Sequence, residues 1–414
     1  MRVKNILNNI FIKNFFNLTI NQVVNIFVAI IATPILFQNL GESSFGLINY
    51  SFSIFMLLSI IISYGYHLNG PKKIAQNPQL SSNINFINDL ISLRISIAFV
   101  ISVIIILISF FTHIFDGYRF IILFSLPILF SEALNPIFYL QGKNNLSVVA
   151  LLNFFAKIIY LGFIVFFIKS SNDALMVNFI FGVSLVIPFI CFWVRTFLKN
   201  RIKFILSSFE NLIFRLKENF EFFLSSIAGH ISIHSGLIIL KLFVNDTELG
   251  KFALANRIAL ILRMIPVFII QSVLQNAIKV NSQNTSSIND YLNYYFFRGL
   301  IGTLVIALFF LIFSKWIVIL FAGEEILYSS NILSILSFIP FFAMLNFKNL
   351  LIILINEKKK ILNKSTWLSS VVMIILCTSF CKMFGGFGLA FALLFSEISS
   401  FLIHSYFLNK TYED

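Results

Sequence analysis

Apolar stretches of about twenty residues, built mainly of Phe, Ile, Leu and Val, follow one another along almost the whole chain with only a few polar residues between them. A helix needs about 20 such residues to cross about 30 Å of hydrocarbon. Lipid offers no partner for backbone N–H and C=O groups, so a spanning stretch must be a helix or part of a closed barrel. The runs here are continuous rather than alternating, which selects helices. Twelve candidate spans follow, at 15–38, 46–67, 90–111, 119–140, 146–168, 175–195, 220–243, 250–275, 293–313, 331–355, 364–383 and 386–407. Composition agrees: of 414 residues, 58% are hydrophobic, 53 are Phe and only 11% are charged. A soluble domain has roughly a quarter of its residues charged, and a disordered chain is poor in apolar ones, so both classes are excluded. Cys191, Cys377 and Cys381 all lie inside apolar runs and read as small apolar fillers. No metal ligand set accompanies them, and no cofactor is expected.

The net charge of +13 arises from 30 Lys and Arg against 17 Asp and Glu. Its distribution is an address. With the N-terminus inside, 20 basic residues fall on the cytoplasmic side or its helix ends, from Arg2, Lys4 and Lys13 to Lys358–Lys360, Lys364 and Lys410. The outer side holds 5: Arg119, Lys169, Lys251, Lys315 and Lys382. Positive loops stay inside, so an N-in, C-in chain is expected. The longest polar connection, 196–219, repeats apolar residues at helical spacing among Arg201, Lys203, Arg215 and Lys217. It reads as an amphipathic helix lying on the inner leaflet. It divides the chain into a six-helix bundle at 1–195, a linker at 196–219 and a second six-helix bundle at 220–414.

The halves look related. Leu40–Gly46 after the first span aligns with Val244–Gly250 after the seventh at an offset of 204, and Arg94 and Arg298 stand 204 apart. Ile-Asn-Asp precedes each Arg, at 87–89 and 288–290. Equal helix number and orientation make this a parallel repeat. The expected fold is all-α, with about twelve transmembrane helices in two bundles around a central cavity.

Five basic residues remain, in or near the ends of spans: Lys157, Lys241, Arg257, Arg263 and Lys348. A cation at a helix centre costs about 2.5–3.5 kcal/mol on insertion scales, so these side chains should face the interior of the protein. Glu132, Glu221 and Glu397 are the acids available to them. Five bases against three acids favour a positive cavity and an anionic substrate, with Arg94 and Arg298 at its inner mouth; internal salt bridges are the competing use. In span seven, Ser226, His230, His234 and Lys241 share a face. The two His can bond into a wet lumen or carry a coupling proton; a third metal ligand is missing. Asn14, Asn17, Asn21 and Asn25 line one face of span one, suited to sugar hydroxyls or to a neighbouring helix. Pro34 and Pro266 are expected to kink their helices. The chain carries no Walker A loop, no Gly-x-Ser-x-Gly and no metal spacing, so an enzyme is not expected.

Several segments resemble those of O-antigen flippases of the Wzx type. Leu40-Gly41-Glu42-Ser43-Ser44-Phe45-Gly46-Leu47 is similar to their Leu-Gly-x-x-x-Phe-Gly signature. Pro71–Ala75 resembles the basic stretch after their second helix. Phe138–Lys143 and Leu152–Lys157 are similar to their F-Q-G helix end and the following L-N-L-x-x-[RK]. Leu237–Leu240, Glu248–Gly250 and Ala255–Ile258 resemble a second-half motif, in which His234 or Ser235 stands where relatives often carry Asp. The resemblance spans the chain and implies the multidrug/oligosaccharidyl-lipid/polysaccharide exporter (MOP) superfamily, with a MATE-like fold. It implies an inner-membrane protein that moves an undecaprenyl-pyrophosphate-linked oligosaccharide, an O-antigen or capsule unit, from the cytoplasmic to the periplasmic leaflet. Polysaccharide polymerase and glycosyltransferases of one pathway would be its partners, and nucleic acid would not. A drug/cation antiporter of the same fold and a membrane-embedded O-antigen polymerase are the rival readings.

Overall fold

Runs this rich in Phe, Ile and Leu bury their backbone polar groups most cheaply as helices, and every regular element among the described residues is helical. The computed structural model describes residues 2–76, 80–283 and 287–413. The helices are α1 (Arg2–Ser63), α2 (Tyr66–Gln76), α3 (Leu80–Phe111), α4 (Arg119–Phe124), α5 (Pro127–Ala133), α6 (Ile137–Gly142), α7 (Leu146–Phe167) and α8 (Ala174–Lys199). They continue with α9 (Phe209–Lys241), α10 (Asp246–Gln283), α11 (Ser287–Ala322), α12 (Leu327–Leu336), α13 (Ile339–Leu345), α14 (Phe347–Ile355) and α15 (Lys359–Glu413). Among the described residues, ten helical stretches are long and apolar enough to cross a membrane. Two of them, Val24–Gln76 and Lys359–Lys410, have 53 and 52 residues. That is more than twice the span of a bilayer core.

Both long stretches are broken at a glycine. Gly41 in α1 has φ 75°, ψ 170°, and Gly385 in α15 has φ 56°, ψ −131°. A residue with a Cβ adopts such positive φ only with strain. By contrast, α1 and α10 contain Pro34 and Pro266 within continuous helix, and the non-helical dihedrals of α1 fall at Gly41 instead. The break in α1 thus lies at Gly41, seven residues beyond Pro34.

The chain forms two compact units. Unit 1 comprises residues 1–40 and 50–230; unit 2 comprises 41–49 and 231–414. In unit 1, α8 packs against α4, α5 and α7, and α6 packs against α2 and α7. One core gathers Tyr66, Ile87, Leu90, Phe138, Tyr139 and Trp193, and another Phe55, Ile62, Ile105 and Leu129. In unit 2, α10 and α11 pack against α12, α13 and α14, and α15 covers α12, α13 and α14. Outward faces are apolar as well: Phe111 is 82% and Phe166 76% exposed. In water such surfaces would drive aggregation; against lipid they are the stable choice.

The fourth span of each half is broken in the same way. α4, α5 and α6 cover 119–142, α12, α13 and α14 cover 327–355, and in each set the middle helix begins with a proline in its first turn, Pro127 or Pro340. This shared interruption supports the internal duplication.

The segment expected as a linker, 196–219, takes in the end of α8, residues 200–208 and the start of α9. Residues to Lys199 complete α8, and α9 runs unbroken from Phe209 to Lys241, merging the expected interfacial helix with span seven. The segment is tied to unit 1 by polar contacts. Arg215 pairs with Asp89 of α3 at 2.9 Å, and Ser207 Oγ donates to the same carboxylate at 2.6 Å. Tyr66 Oη donates to the Arg215 carbonyl at 2.9 Å, while Ile202, Leu212 and Leu216 pack on the core. Protein covers only part of the amphipathic face: Ile205, Leu206 and Phe209 stay 66%, 73% and 75% exposed, as an apolar face turned to lipid would be.

Candidate functional site

In unit 1 the polar side chains converge on the break between α5 and α6. That break leaves carbonyl groups without helical partners. Arg94, on α3, donates to the Asn135 carbonyl at 3.3 Å and lies over the Phe138 ring at 4.9 Å. Glu132 lies within electrostatic reach of Arg94 and accepts from Asn135 Nδ2 at 3.1 Å. Arg94 is 2% exposed. Its predicted place at an inner mouth is therefore corrected: sealed in protein beside an acid, it braces a broken span. A buried guanidinium is tolerated only with such partners.

His230, on α9, donates from Nδ1 to the Ser226 carbonyl at 3.1 Å. Its ring centroid is 6.2 Å from that of His67, whose Nδ1 is 3.2 Å from Ser63 Oγ. His67 was not singled out in the sequence. No local spacing pointed to it: Ser63 ends α1 and His67 lies in α2, brought together by the turn at Tyr64 and Gly65, whose φ are 47° and 72°. His234, four residues beyond His230, is half-buried and belongs to unit 2. Within unit 1, His230 thus has His67 as a ring neighbour. Lys157 on α7 lies 4.8 Å from the ring of Phe181 on α8. Asn25 is half-buried. The side chains of Asn14, Asn17 and Asn21 lie outside the described residues.

Unit 2 holds the other cations. Arg263 on α10 donates to Glu397 Oε1 on α15 at 2.5 Å. The remaining acid, Glu221, is exposed rather than buried. Arg257 donates to Asn49 Oδ1 at 3.3 Å and stands over Phe45 at 5.9 Å. Lys348 on α14 lies 4.4 Å from the Phe296 ring and 5.6 Å from that of Phe297, both on α11. Lys241, at the end of α9, pairs with Asp246 at the start of α10. Arg298 is exposed and lies over Tyr294, one turn away, at 3.9 Å. Arg94 and Arg298, matched in the repeat, thus occupy opposite environments.

The repeated glycines meet. A Cβ on Gly250 would stand 1.8 Å from the Glu42 carbonyl oxygen, and one on Gly46 would stand 2.6 Å from the Gly250 nitrogen. Gly46 and Gly250 are 204 residues apart, the repeat offset itself. Lys251 reaches Glu42 at 3.4 Å across the same crossing. Nearby, Glu248 Oε1 accepts from Tyr328 Oη at 2.6 Å and from the Gly386 amide at 3.0 Å. It thereby satisfies an N–H beside the break at Gly385.

Chemically, two kinds of cation are present. Arg263 is neutralised by a carboxylate. Lys348 and Arg257 are instead placed against aromatic rings and a neutral amide.

Comparison with known proteins places these features in context. Residues 11–275 match the family described as "Polysaccharide biosynthesis protein". A protein of Shigella dysenteriae named "Putative O-antigen transporter" is 23% identical over 355 residues, covering 83% of this chain and 86% of that protein. A protein of the same name from Escherichia coli (strain K12) is 22% identical over 254 residues, 59% of this chain and 60% of that one. Among solved structures, the inward closed conformation of the lipid II flippase MurJ superposes with a TM-score of 0.73 at 16% identity, covering 94% of this chain and 87% of that one. An inward-facing multidrug resistance MATE family transporter of the MOP superfamily gives a TM-score of 0.71 at 13% identity, with 92% and 94% covered. At these identities the likeness establishes the fold, which is the one these transporters share.

Proposed function

The chain belongs to the polysaccharide biosynthesis protein family, and from that premise we propose that it is a flippase for a lipid-linked oligosaccharide. The substrate is an undecaprenyl-pyrophosphate-linked O-antigen or capsule unit, carried from the cytoplasmic to the periplasmic leaflet of a bacterial inner membrane by alternating access. The relatives it matches are named as transporters, which supports transport rather than chain-building chemistry. Twelve crossings, N-in and C-in, follow if each glycine-broken stretch, in α1 and α15, crosses twice. The bias of 20 inner against 5 outer basic residues supports that orientation.

The observation that carries the reading is the state of the cations of unit 2. Arg257 and Lys348 sit within spans on rings and a neutral amide, a costly placement that an anionic headgroup would repay. Arg263 contributes by exchanging its partner Glu397 for the headgroup, and Lys157, over the Phe181 ring, is the candidate cation of unit 1. A drug-cation antiporter would want negative charge at those positions.

The test is leaflet transfer of a fluorescent lipid-linked oligosaccharide by purified protein in liposomes. Lys348→Ala and Arg257→Gln should each lower the transfer rate by about tenfold, the equivalent of one lost ionic contact, with the melting temperature unchanged. Wild-type protein that elongates the oligosaccharide without moving it would overturn the reading. So would transfer at full rate in both variants.

A further inference from the structure

Unit 1 has a groove of about 770 Å³ between the end of α6, the first half of α7 and the second half of α8. None of the side chains placed in the transport reading lines it. Its body is apolar, with Leu151 and Phe155 on α7 half exposed to it and Cys191 on α8 exposed. Its rim is basic: Lys143, Arg195 and Lys199 gather at one end, all exposed. Among the described residues that line it there is no Asp or Glu. The wall along α7 runs from Asn145 to Ile159, roughly 20 Å at the helical rise of 1.5 Å per residue. One leaflet of hydrocarbon is about 15 Å deep. The groove therefore has the depth of an acyl chain, with its cations at the level of a headgroup.

We propose that this groove is a docking site for an anionic glycerophospholipid. The phosphate is held by Lys143, Arg195 and Lys199, and an acyl chain lies along Leu151, Phe155 and Cys191. Charge complementarity selects the anionic headgroup: three basic residues and no acid line the groove, at the end of α6 and the last turns of α8, and basic clusters at a membrane surface attract anionic lipid. Tyr139 adds to the fit, because the Lys143 ammonium stands 4.8 Å from its ring and is thereby held at the rim. The site is separate from the transport cations, so it holds whatever the transported molecule is.

Cys191 supplies the probe. Cys377 and Cys381 are buried, so maleimide reports on Cys191 alone. Full-length protein in a neutral detergent is alkylated in the presence of phosphatidylglycerol or of phosphatidylcholine with identical acyl chains, and the rate is read by intact mass. Phosphatidylglycerol is expected to slow Cys191 alkylation by about tenfold, while phosphatidylcholine changes it less than about twofold. The Lys143→Gln, Arg195→Gln, Lys199→Gln triple variant should lose that protection, and the Lys143→Arg, Arg195→Lys, Lys199→Arg variant should keep it. Equal rates in the two lipids overturn the proposal without any variant. Protection that survives neutralisation overturns it too, as does protection by undecaprenyl pyrophosphate when phosphatidylglycerol gives none.

Discussion

The crossing of Gly46 and Gly250 sets a sharp steric test. Gly250→Ala adds one methyl group. Its ideal position is 1.8 Å from the Glu42 carbonyl oxygen, where real Cβ atoms stay at least 3.0 Å away, so the backbones must part by about 1.2 Å. The obstructing atom is backbone, so no rotamer change relieves it. Overpacking a well-filled site typically costs about 1–3 kcal/mol, and a clash with backbone belongs at the upper end. For a domain of this size, 1 kcal/mol shifts the melting temperature by about 2–4 °C, so Gly250→Ala should melt about 6–12 °C below wild type. Gly46→Ala, at 2.6 Å from the Gly250 nitrogen, should fall in the same direction. Gly162→Ala is the control: nothing lies within 4 Å of its added Cβ. There the change should be neutral or stabilising, by up to about 1 kcal/mol, because Ala is the better helix former. The assay is thermal unfolding of detergent-purified protein followed by fluorescence-detected size exclusion. If Gly250→Ala melts with the Gly162→Ala control, the close crossing does not exist in the membrane protein.

Two further outcomes follow from the ion pairs. Glu397→Gln leaves Arg263 without its carboxylate; with side chains 29% and 13% exposed, solvent screens part of the loss, and about 1–3 kcal/mol of stability should go. The Arg263→Gln, Glu397→Gln double variant should recover much of that loss, and a strictly additive result would show that the two groups are not coupled. Asp89→Asn removes the carboxylate shared by Arg215 and Ser207, worth about 1.5–3 kcal/mol per charged hydrogen bond. Trypsin should then cut faster at the exposed Arg201 and Lys203, and an unchanged digestion rate would show that the segment is held by something else.

Much of this architecture could be read residue by residue. The spans were legible because apolar length alone decides whether a segment can sit in a bilayer. The mid-span cations were legible for the same reason, since each is an exception to that rule. Glu132 and Glu397 were recognisable as acids available to them, and both stand beside an arginine. What could not be read was which acid takes which base: Arg263 and Glu397 are 134 residues apart. Nor did the apolar periodicity of 202–220 say that the segment would be tied to α3. Asp89, which holds it there, lies 126 residues before Arg215. The matched glycines were visible as a repeat, yet nothing in either copy said that the copies touch.

The division has one physical origin. Transfer from water to lipid, backbone pairing within a helix and the inside preference of Lys and Arg are sums over neighbouring residues, so the chain alone carries membrane residence and helical class and sets an expectation for orientation. Salt bridges, cation–ring contacts, glycine crossings and the basic groove beside α7 are properties of pairs brought together from distant positions. Their energies depend on distances of a few ångströms that no local stretch specifies. Only the folded chain could show that Arg94 is a sealed brace, that Arg263 rests on Glu397, and that Lys348 and Arg257 stand against rings and an amide.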